Sequence, residues 1–297
     1  MDNLLEKYGY TPVPENIGKS LEIIAANIDN ATSNAVLEKC LSLMDLTTLR
    51  TEDTVATVGK LVGKVNAFMT EYPQYPLPAS ICVFPNFAAA VREGLRSEDV
   101  HVTCVAGCFP SSQSYLEVKV RECELAVENG ADEIDIVLAL NSFMCGDYES
   151  ARKEIRAMRA AVDASAAKVG RTVVLKVILE TGLLVSPERI AAASFLAMEE
   201  GADFIKTSTG KVAVNATPVA AYVMCESIKA FHAMTGRKVG FKAAGGISTA
   251  KDAVSYYMIA KSILGDEWMC KDLFRFGVSR LANSLISAIE QKNVVFY

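Results

Sequence analysis

Short apolar runs alternate along most of this chain with longer segments in which apolar residues recur at helical spacing. From residue 41 onward, eight runs have the length and composition of buried strands. They cover residues 41–46, 80–84, 101–108, 133–140, 173–180, 204–208, 239–243 and 274–278. This alternation predicts parallel strands joined by right-handed crossovers. Eight units favour closure into an α/β fold of the (β/α)₈ TIM barrel type, although an open doubly wound sheet has the same alternation.

The first forty residues do not follow this alternation. They contain short amphipathic stretches at 20–28 and 35–43. We therefore expect an N-terminal helical extension over 1–40 and a barrel domain over 41–297. The extension is predicted to lie across the N-terminal face of the barrel, and a subunit contact, as in a homodimer, is the alternative.

Composition narrows the classes of function. The 297 residues are 51% hydrophobic and can form a barrel as a single domain. A net charge of -5 provides no basic surface for nucleic acid, and we find no apolar stretch long enough to cross a membrane. The start of the chain lacks a signal-peptide pattern, and the eight cysteines are scattered without metal-ligand spacing. These features predict a cytoplasmic enzyme with reduced core thiols.

Two lysines lie in predicted strands, where lysine is rare. Lys206 follows Phe204-Ile205, and Lys242 follows Gly240-Phe241. Burying an ammonium group is costly unless its pKa falls or it finds a partner. A second cation nearby lowers the pKa of the first, and the resulting neutral amine can attack a carbonyl carbon to form a Schiff base. The pair therefore indicates amine chemistry.

A weak internal repeat places a carboxylate beside this pair. Residues 130–135 resemble residues 201–206, with Asp135 at the position that corresponds to Lys206. Side chains alternate along a strand, so Asp135 and Lys206 are expected to share the barrel interior. Asp45 and Lys176 also lie in predicted strands. For these two, an exposed ion pair at the strand ends and a role in the site are equally good interpretations.

Glycine-containing turns follow three of the predicted strands. Thr207 to Lys211 is rich in hydroxyl and backbone donors, Gly245-Gly246 runs into a predicted helix N-terminus, and Gly277 lies two residues before Ser279. Free N–H groups at a helix N-terminus attract anions. The loops after strands 7 and 8 are the usual phosphate site of such barrels. A phosphate is therefore the ligand that we favour, although each glycine alone fits a tight turn.

Several longer stretches resemble the 2-deoxyribose-5-phosphate aldolase family of class I aldolases, from about residue 44 to residue 277 and beyond. The densest matches are 44–49, 131–135, 175–184, 204–217 and 242–253. The resemblance implies that Lys206 forms the Schiff base, that Lys242 lowers its pKa, and that Asp135 moves protons through a water. It also implies small sugar phosphate and aldehyde substrates, and neither a cofactor nor a metal.

The remaining predicted site residues are those expected to contact the substrate or its phosphate. They are Asp45, Thr47, Cys82, Lys176, Thr207, Gly210, Lys211, Gly245, Gly246, Gly277 and Ser279. For Cys82, which matches a family cysteine, core packing is the favoured interpretation. The terminal Tyr297 is a candidate proton relay, and docking of the tail on the barrel is the interpretation that we favour. His101 and His232 have no convincing partner and are assigned structural roles.

Two departures from the family pattern concern the phosphate. Ala243 stands where a proline is common, and Ser248 stands where an arginine often follows the paired glycines. Loss of that arginine would weaken phosphate attraction without touching the imine chemistry, and Arg280 is a candidate for the compensating charge. Two alternatives stay open: a Schiff-base aldolase for another phosphorylated sugar, and a barrel with little catalysis that serves as a binding or scaffold protein.

Overall fold

Eight parallel strands close into a barrel in sequence order in the computed structural model, which describes residues 2–297. Strand β8 closes the barrel by pairing with β1, where Met44 lies opposite Phe276. The strands are β1 Met44–Thr47, β2 Ser80–Val83, β3 His101–Val105, β4 Glu133–Val137, β5 Val174–Ile178, β6 Phe204–Lys206, β7 Gly240–Ala244 and β8 Phe274–Val278. The predicted TIM barrel is confirmed, and the open doubly wound sheet is excluded.

Helices surround the barrel and precede it. The four that precede β1 are α1 Asp2–Tyr8, α2 Pro14–Ala26, α3 Ile28–Ala31 and α4 Asn34–Ser42. Those that follow are α5 Val55–Glu71, α6 Ala88–Gly94, α7 Leu116–Glu128, α8 Leu140–Met144, α9 Tyr148–Lys168, α10 Thr181–Leu184, α11 Pro187–Glu199, α12 Pro218–Thr235, α13 Ala250–Leu264 and α14 Leu281–Glu290. Within residues 2–297, no helix is long and apolar enough to cross a membrane.

All eight predicted strands form, but several of their boundaries differ from the prediction. The first strand was predicted from residue 41, whereas residues 41 and 42 complete α4. Leu37, Cys40 and Leu41 are buried at helical spacing, so their apolar side chains belong to a helix face. The third predicted strand also extends too far, because Gly107 and Cys108 adopt positive φ angles of 69° and 61° that end the extended backbone.

The N-terminal helices pack against the outer helices of the barrel, and their predicted position across its N-terminal face stays a prediction. Helix α1 packs on α11 and α12, and α2 packs on α12 and α13. The Tyr8 ring stacks on Phe195 with 4.4 Å between ring centroids. The extension therefore covers the outside of the helix layer, where its apolar residues complete the packing of α11 to α13.

The barrel interior is charged at its centre. Residues paired in register on neighbouring strands point to the same side of the sheet. Asp135 lies opposite Lys176 and Lys206 lies opposite Lys242 in this register, while Lys242 also lies opposite Arg275 on its other side. The parallel pairing of β4 to β8 thus brings these charged side chains together in the barrel interior.

Candidate active site

Asp135 on β4 is the acceptor for three lysines from the next three strands. Lys176 Nζ donates to Asp135 Oδ1 at 2.8 Å, whereas Lys206 Nζ at 2.9 Å and Lys242 Nζ at 2.8 Å both donate to Asp135 Oδ2. Because Lys206 and Lys242 share one oxygen atom, their charges lie within about 6 Å, the range in which one ionisable group shifts the pKa of another. The geometry therefore unites the three residues that the sequence analysis selected for chemistry.

A second layer of ion pairs supports the first. Arg275 Nη2 donates to Glu133 Oε1 at 2.7 Å, and Arg275 Nη1 donates to Asp45 Oδ1 at 2.6 Å. Lys176 pairs with Glu133 at 2.5 Å, and Lys242 pairs with Asp45. We call this set the charge cage, and it consists of Asp45, Glu133, Asp135, Lys176, Lys206, Lys242 and Arg275. None of its members is more than 3% exposed.

The charge cage is balanced when Lys206 is neutral. It contains three carboxylates and, apart from Lys206, three cations: Lys176, Lys242 and Arg275. Burial and the nearby Lys242 cation lower the pKa of Lys206, against the opposing effect of Asp135. Burial also opposes protonation of Lys242, but Asp135 and Asp45 outweigh it and raise the pKa of Lys242. Lys206 is therefore the amine of the cage that gives up its proton most easily.

A cavity of about 410 Å³ opens at the carboxyl ends of β1, β6, β7 and β8. Lys206 reaches its wall, whereas the other six members of the charge cage do not line it. Seven further predicted site residues line the same cavity: Thr47, Gly210, Lys211, Gly245, Gly246, Gly277 and Ser279. The amine with the lowered pKa thus faces a space large enough for a small substrate.

The paired glycines after β7 have a conformation that side chains disfavour. Gly245 and Gly246 have φ angles of 86° and 82°, and a Cβ on Gly245 would lie 2.6 Å from the Cβ of Asn215. Within residues 2–297, their backbone amides have no hydrogen-bond acceptor. These two amides are consequently available to an anion in the cavity.

Most of the amides at the N-terminus of α13, which we predicted to be free, already have acceptors. The amides of Ser248 and Thr249 donate to the Asp252 carboxylate at 3.2 Å and 3.0 Å. The Asp252 amide in turn donates to the Thr249 hydroxyl, which completes a capping box. Because Asp252 takes two of these amides and places a negative charge at the helix end, the glycine amides are the better donors for an anion.

Comparison with known proteins identifies the family. Residues 39–284 match the model for the DeoC/LacD family aldolases. The chain belongs to this aldolase family. It is 38% identical over 268 residues to the human deoxyribose-phosphate aldolase, covering 87% of this chain and 80% of that protein. It is 40% identical over 250 residues to the deoxyribose-phosphate aldolase of Agrobacterium fabrum, covering 84% of this chain and 90% of that protein.

A solved structure shares the fold of the aldolase. The deoxyribose phosphate aldolase from Aeropyrum pernix, described as tetrameric, matches it with a TM-score of 0.68 and 24% identity. The match covers 89% of this chain and 96% of that one. The chain is thus a lyase of the aldolase type on a TIM barrel, and the homodimer considered above stays a prediction.

Some predicted site residues of the aldolase lie beneath the cavity or away from it. Asp45 and Lys176 are fully buried in the charge cage, so the interpretation as an exposed ion pair is wrong. The Thr207 hydroxyl accepts from the Ala244 amide at 2.9 Å and donates to the Ala244 carbonyl at 3.1 Å, which ties β6 to β7. Cys82 is buried against Leu49 and Val105, and burial raises the pKa of its thiol.

Tyr297 lies in an aromatic cluster on the outside of the barrel. Its ring centroid is 5.5 Å from that of Phe68, and its amide donates to Asn283 Oδ1 at 2.8 Å. Tyr297 does not line the cavity, and within residues 2–297 its buried hydroxyl has no hydrogen-bond partner. The structure thus places it in the docked-tail arrangement that the sequence analysis favoured.

Sequence reasoning missed several residues that organise this site. Glu133 and Arg275 pair with each other within the charge cage. Glu133 Oε1 also forms a hydrogen bond with His101 Nδ1 at 2.7 Å. Glu180 has a left-handed φ of 52° and binds the Thr209 amide at 3.1 Å and its hydroxyl at 2.5 Å, which holds the loop with Gly210. Arg275, between two phenylalanines of β8, carried the same signal that revealed Lys206 and Lys242.

Proposed function

We propose that this aldolase cleaves 2-deoxy-D-ribose 5-phosphate into acetaldehyde and D-glyceraldehyde 3-phosphate through a Schiff base on Lys206. The decisive observation is that Lys206 alone among the cage residues lines the cavity, and that its proton would exceed the charge of the cage carboxylates. Relatives named deoxyribose-phosphate aldolase support this choice of substrate. We assign the reaction to deoxyribonucleoside breakdown in the cytoplasm.

In the proposed mechanism the neutral Lys206 amine attacks the C1 aldehyde carbon, and loss of water leaves a protonated imine. The electron pair of the C2–C3 bond then moves into the imine to form an enamine. The C3 hydroxyl loses its proton as it becomes the aldehyde of glyceraldehyde 3-phosphate. Protonation of the enamine at C2 and hydrolysis release acetaldehyde and free Lys206. The balance of atoms requires no cofactor and no metal.

Asp135 is the proposed carrier of protons in this sequence, acting through a water. Although burial raises the pKa of its carboxyl, Lys176, Lys206 and Lys242 together hold that pKa well below its usual range. Asp135 therefore stays ionised, so it can orient the water as a charged acceptor and holds a proton only in passing. Its oxygen, 2.9 Å from Lys206 Nζ, also stabilises the positive charge of the imine.

The phosphate end of the substrate is assigned to the opposite part of the cavity. The unpaired amides of Gly245 and Gly246 are the proposed donors, with Gly210, Lys211, Gly277 and Ser279 completing the wall. The space around position 277 also requires a glycine. A Cβ there would lie 2.8 Å from the Cβ of Ala244 and 3.2 Å from Cε of Lys242, so it would displace the stem of that lysine.

A comparison of substrates tests the proposed reaction. Purified protein should release acetaldehyde and glyceraldehyde 3-phosphate from 2-deoxyribose 5-phosphate, measured by coupled reduction of both aldehydes. Fructose phosphates and ribose 5-phosphate should be cleaved at least about 100-fold more slowly, because the site is selective for groups that it must bind in the transition state. Preferential cleavage of a fructose phosphate would favour the alternative sugar phosphate, and no cleavage of any of them would favour the scaffold.

Replacing Lys242 with methionine should shift the pH dependence of imine formation. Without Lys242, the three carboxylates of the cage are balanced only when Lys206 is protonated, so the pKa of Lys206 rises. The neutral amine is the nucleophile, so imine formation increases with pH as Lys206 loses its proton. The midpoint of this increase should move to higher pH in the variant, by at least about one pH unit. Borohydride trapping with acetaldehyde across pH 5 to 10 measures the shift.

A matched control separates this effect from general damage. Lys238→Met removes a half-exposed lysine that precedes β7 and pairs with Glu267, and its pH profile should coincide with that of the parent protein. A Lys242→Met profile with an unchanged midpoint would show that Lys242 does not set the pKa of Lys206.

A further inference from the structure

The side chains that line the cavity carry positive charge only. Arg50, Lys206 and Lys211 are the three cations of its wall, and no aspartate or glutamate in the described chain lines it. Two of these cations already have acceptors. Lys206 donates to Asp135, and Lys211 Nζ donates to the Leu49 carbonyl at 2.5 Å. The third, Arg50, requires a separate explanation.

The guanidinium group of Arg50 has neither a hydrogen bond nor an ion pair within residues 2–297, and the residue is exposed. An arginine head group offers five donors in a planar fork that matches a phosphate. A free guanidinium on the wall of a cavity without carboxylates is therefore suited to an anionic ligand.

The backbone at Arg50 is held in place even though its side chain is free. The Asp53 carboxylate accepts from the Arg50 amide at 2.9 Å and from the Thr48 hydroxyl at 2.7 Å, while the Asp53 amide donates to the Arg50 carbonyl at 3.1 Å. The Lys211 contact to Leu49 fastens the same turn to the loop after β6. The turn after β1 thus presents Arg50 beside Lys211 at the cavity.

We propose that Arg50 binds the substrate phosphate and makes the enzyme selective for phosphorylated over unphosphorylated substrate. This inference rests on the proposed function. Ser248 stands where an arginine is common, so the phosphate needs another source of positive charge. Arg280, the candidate for the compensating charge, is exposed and does not line the cavity, whereas Arg50 does. The positive charge comes from the turn after β1 instead of the loops after β7 and β8.

The test compares Arg50→Gln, Arg50→Lys and the parent protein on 2-deoxyribose 5-phosphate and on 2-deoxyribose. For the phosphorylated substrate, Arg50→Gln should raise KM about 10- to 100-fold, as expected for loss of hydrogen bonds to a charged group. Its kcat should change little, and kcat/KM for 2-deoxyribose should stay within about twofold of the parent value. Arg50→Lys should recover part of the loss, because it restores charge without the fork.

Arg280→Gln is the matched control, and it should leave both substrates unaffected. An unchanged KM for 2-deoxyribose 5-phosphate in Arg50→Gln would overturn the inference, as would equal losses for the two substrates. If the parent protein fails to cleave the sugar phosphate, the proposed function fails, and the inference is then decided by calorimetric titration with inorganic phosphate. Weaker binding in Arg50→Gln than in Arg280→Gln would support a phosphate role, and equal binding would overturn it.

Discussion

Lys206→Met should abolish both covalent trapping and turnover. Because this residue supplies the amine that forms the imine, no neighbouring group can take over, and kcat should fall by more than about 10⁴-fold. Borohydride reduction with acetaldehyde should add a two-carbon unit to Lys206 in the parent protein and none to the variant. Intact-mass measurement and peptide mapping will detect the adduct.

The same substitution should not destabilise the fold. It removes the cation that exceeds the carboxylates of the charge cage, and methionine fills a similar volume. The melting temperature of Lys206→Met should equal or exceed that of the parent protein. Lys229→Met, on the exposed side of α12, is the control that should retain adduct and turnover. A two-carbon adduct on any other lysine of the parent protein would contradict the assignment.

Asp135→Asn should separate imine formation from the later proton transfers. Asparagine keeps the shape of the side chain but removes the negative charge that three lysines share. Since Asp135 raises the pKa of Lys206, its loss lowers that pKa further, so Lys206 stays nucleophilic and borohydride should still trap an adduct. Cleavage of 2-deoxyribose 5-phosphate should fall about 10²- to 10⁴-fold, the contribution typical of a proton-transfer group.

Asp135→Asn should also cost stability, because breaking a buried ion pair typically destabilises a protein by about 3–5 kcal/mol. Denaturant unfolding measures this loss. Asp132→Asn is the control: Asp132 lies just before β4 and pairs with Arg92 and Arg171 outside the charge cage. It should lose stability while keeping its kcat. If Asp135→Asn turned over substrate at the rate of Asp132→Asn, Asp135 would have no part in proton transfer.

The candidate catalytic residues could be recognised in the sequence because they are charged residues within apolar strands. A lysine between apolar residues of a short strand stands out at Lys206 and Lys242, and the repeat that aligns Asp135 with Lys206 follows from side-chain alternation. Glu133 was missed for a different reason. Glu133 stands at the start of β4, where a charged residue is ordinary, and only the structure shows that Arg275 and Lys176 surround it.

Local sequence patterns predicted the proposed phosphate-binding residues less completely. Gly245 and Gly246 were correctly identified as unusual turns, but Asp252 takes two of the amides that were predicted to be free at the start of the following helix. Arg280 was considered because it follows Ser279 in sequence. Arg50 is far from both in sequence, and it reaches the cavity because closure of the barrel places the turn after β1 beside the loops after β6 and β8.

Local periodicity along the chain was sufficient to establish eight strand–helix units and the inward position of Asp135 and Lys206. It depends only on the geometry of a strand and a helix, which neighbouring residues determine. Only the closed barrel decided three other features. They are the pairing of Asp45 with Lys242 and Arg275, the packing of the N-terminal helices and the position of Arg50. These contacts join residues far apart in sequence, and parallel pairing with barrel closure decides which of them meet.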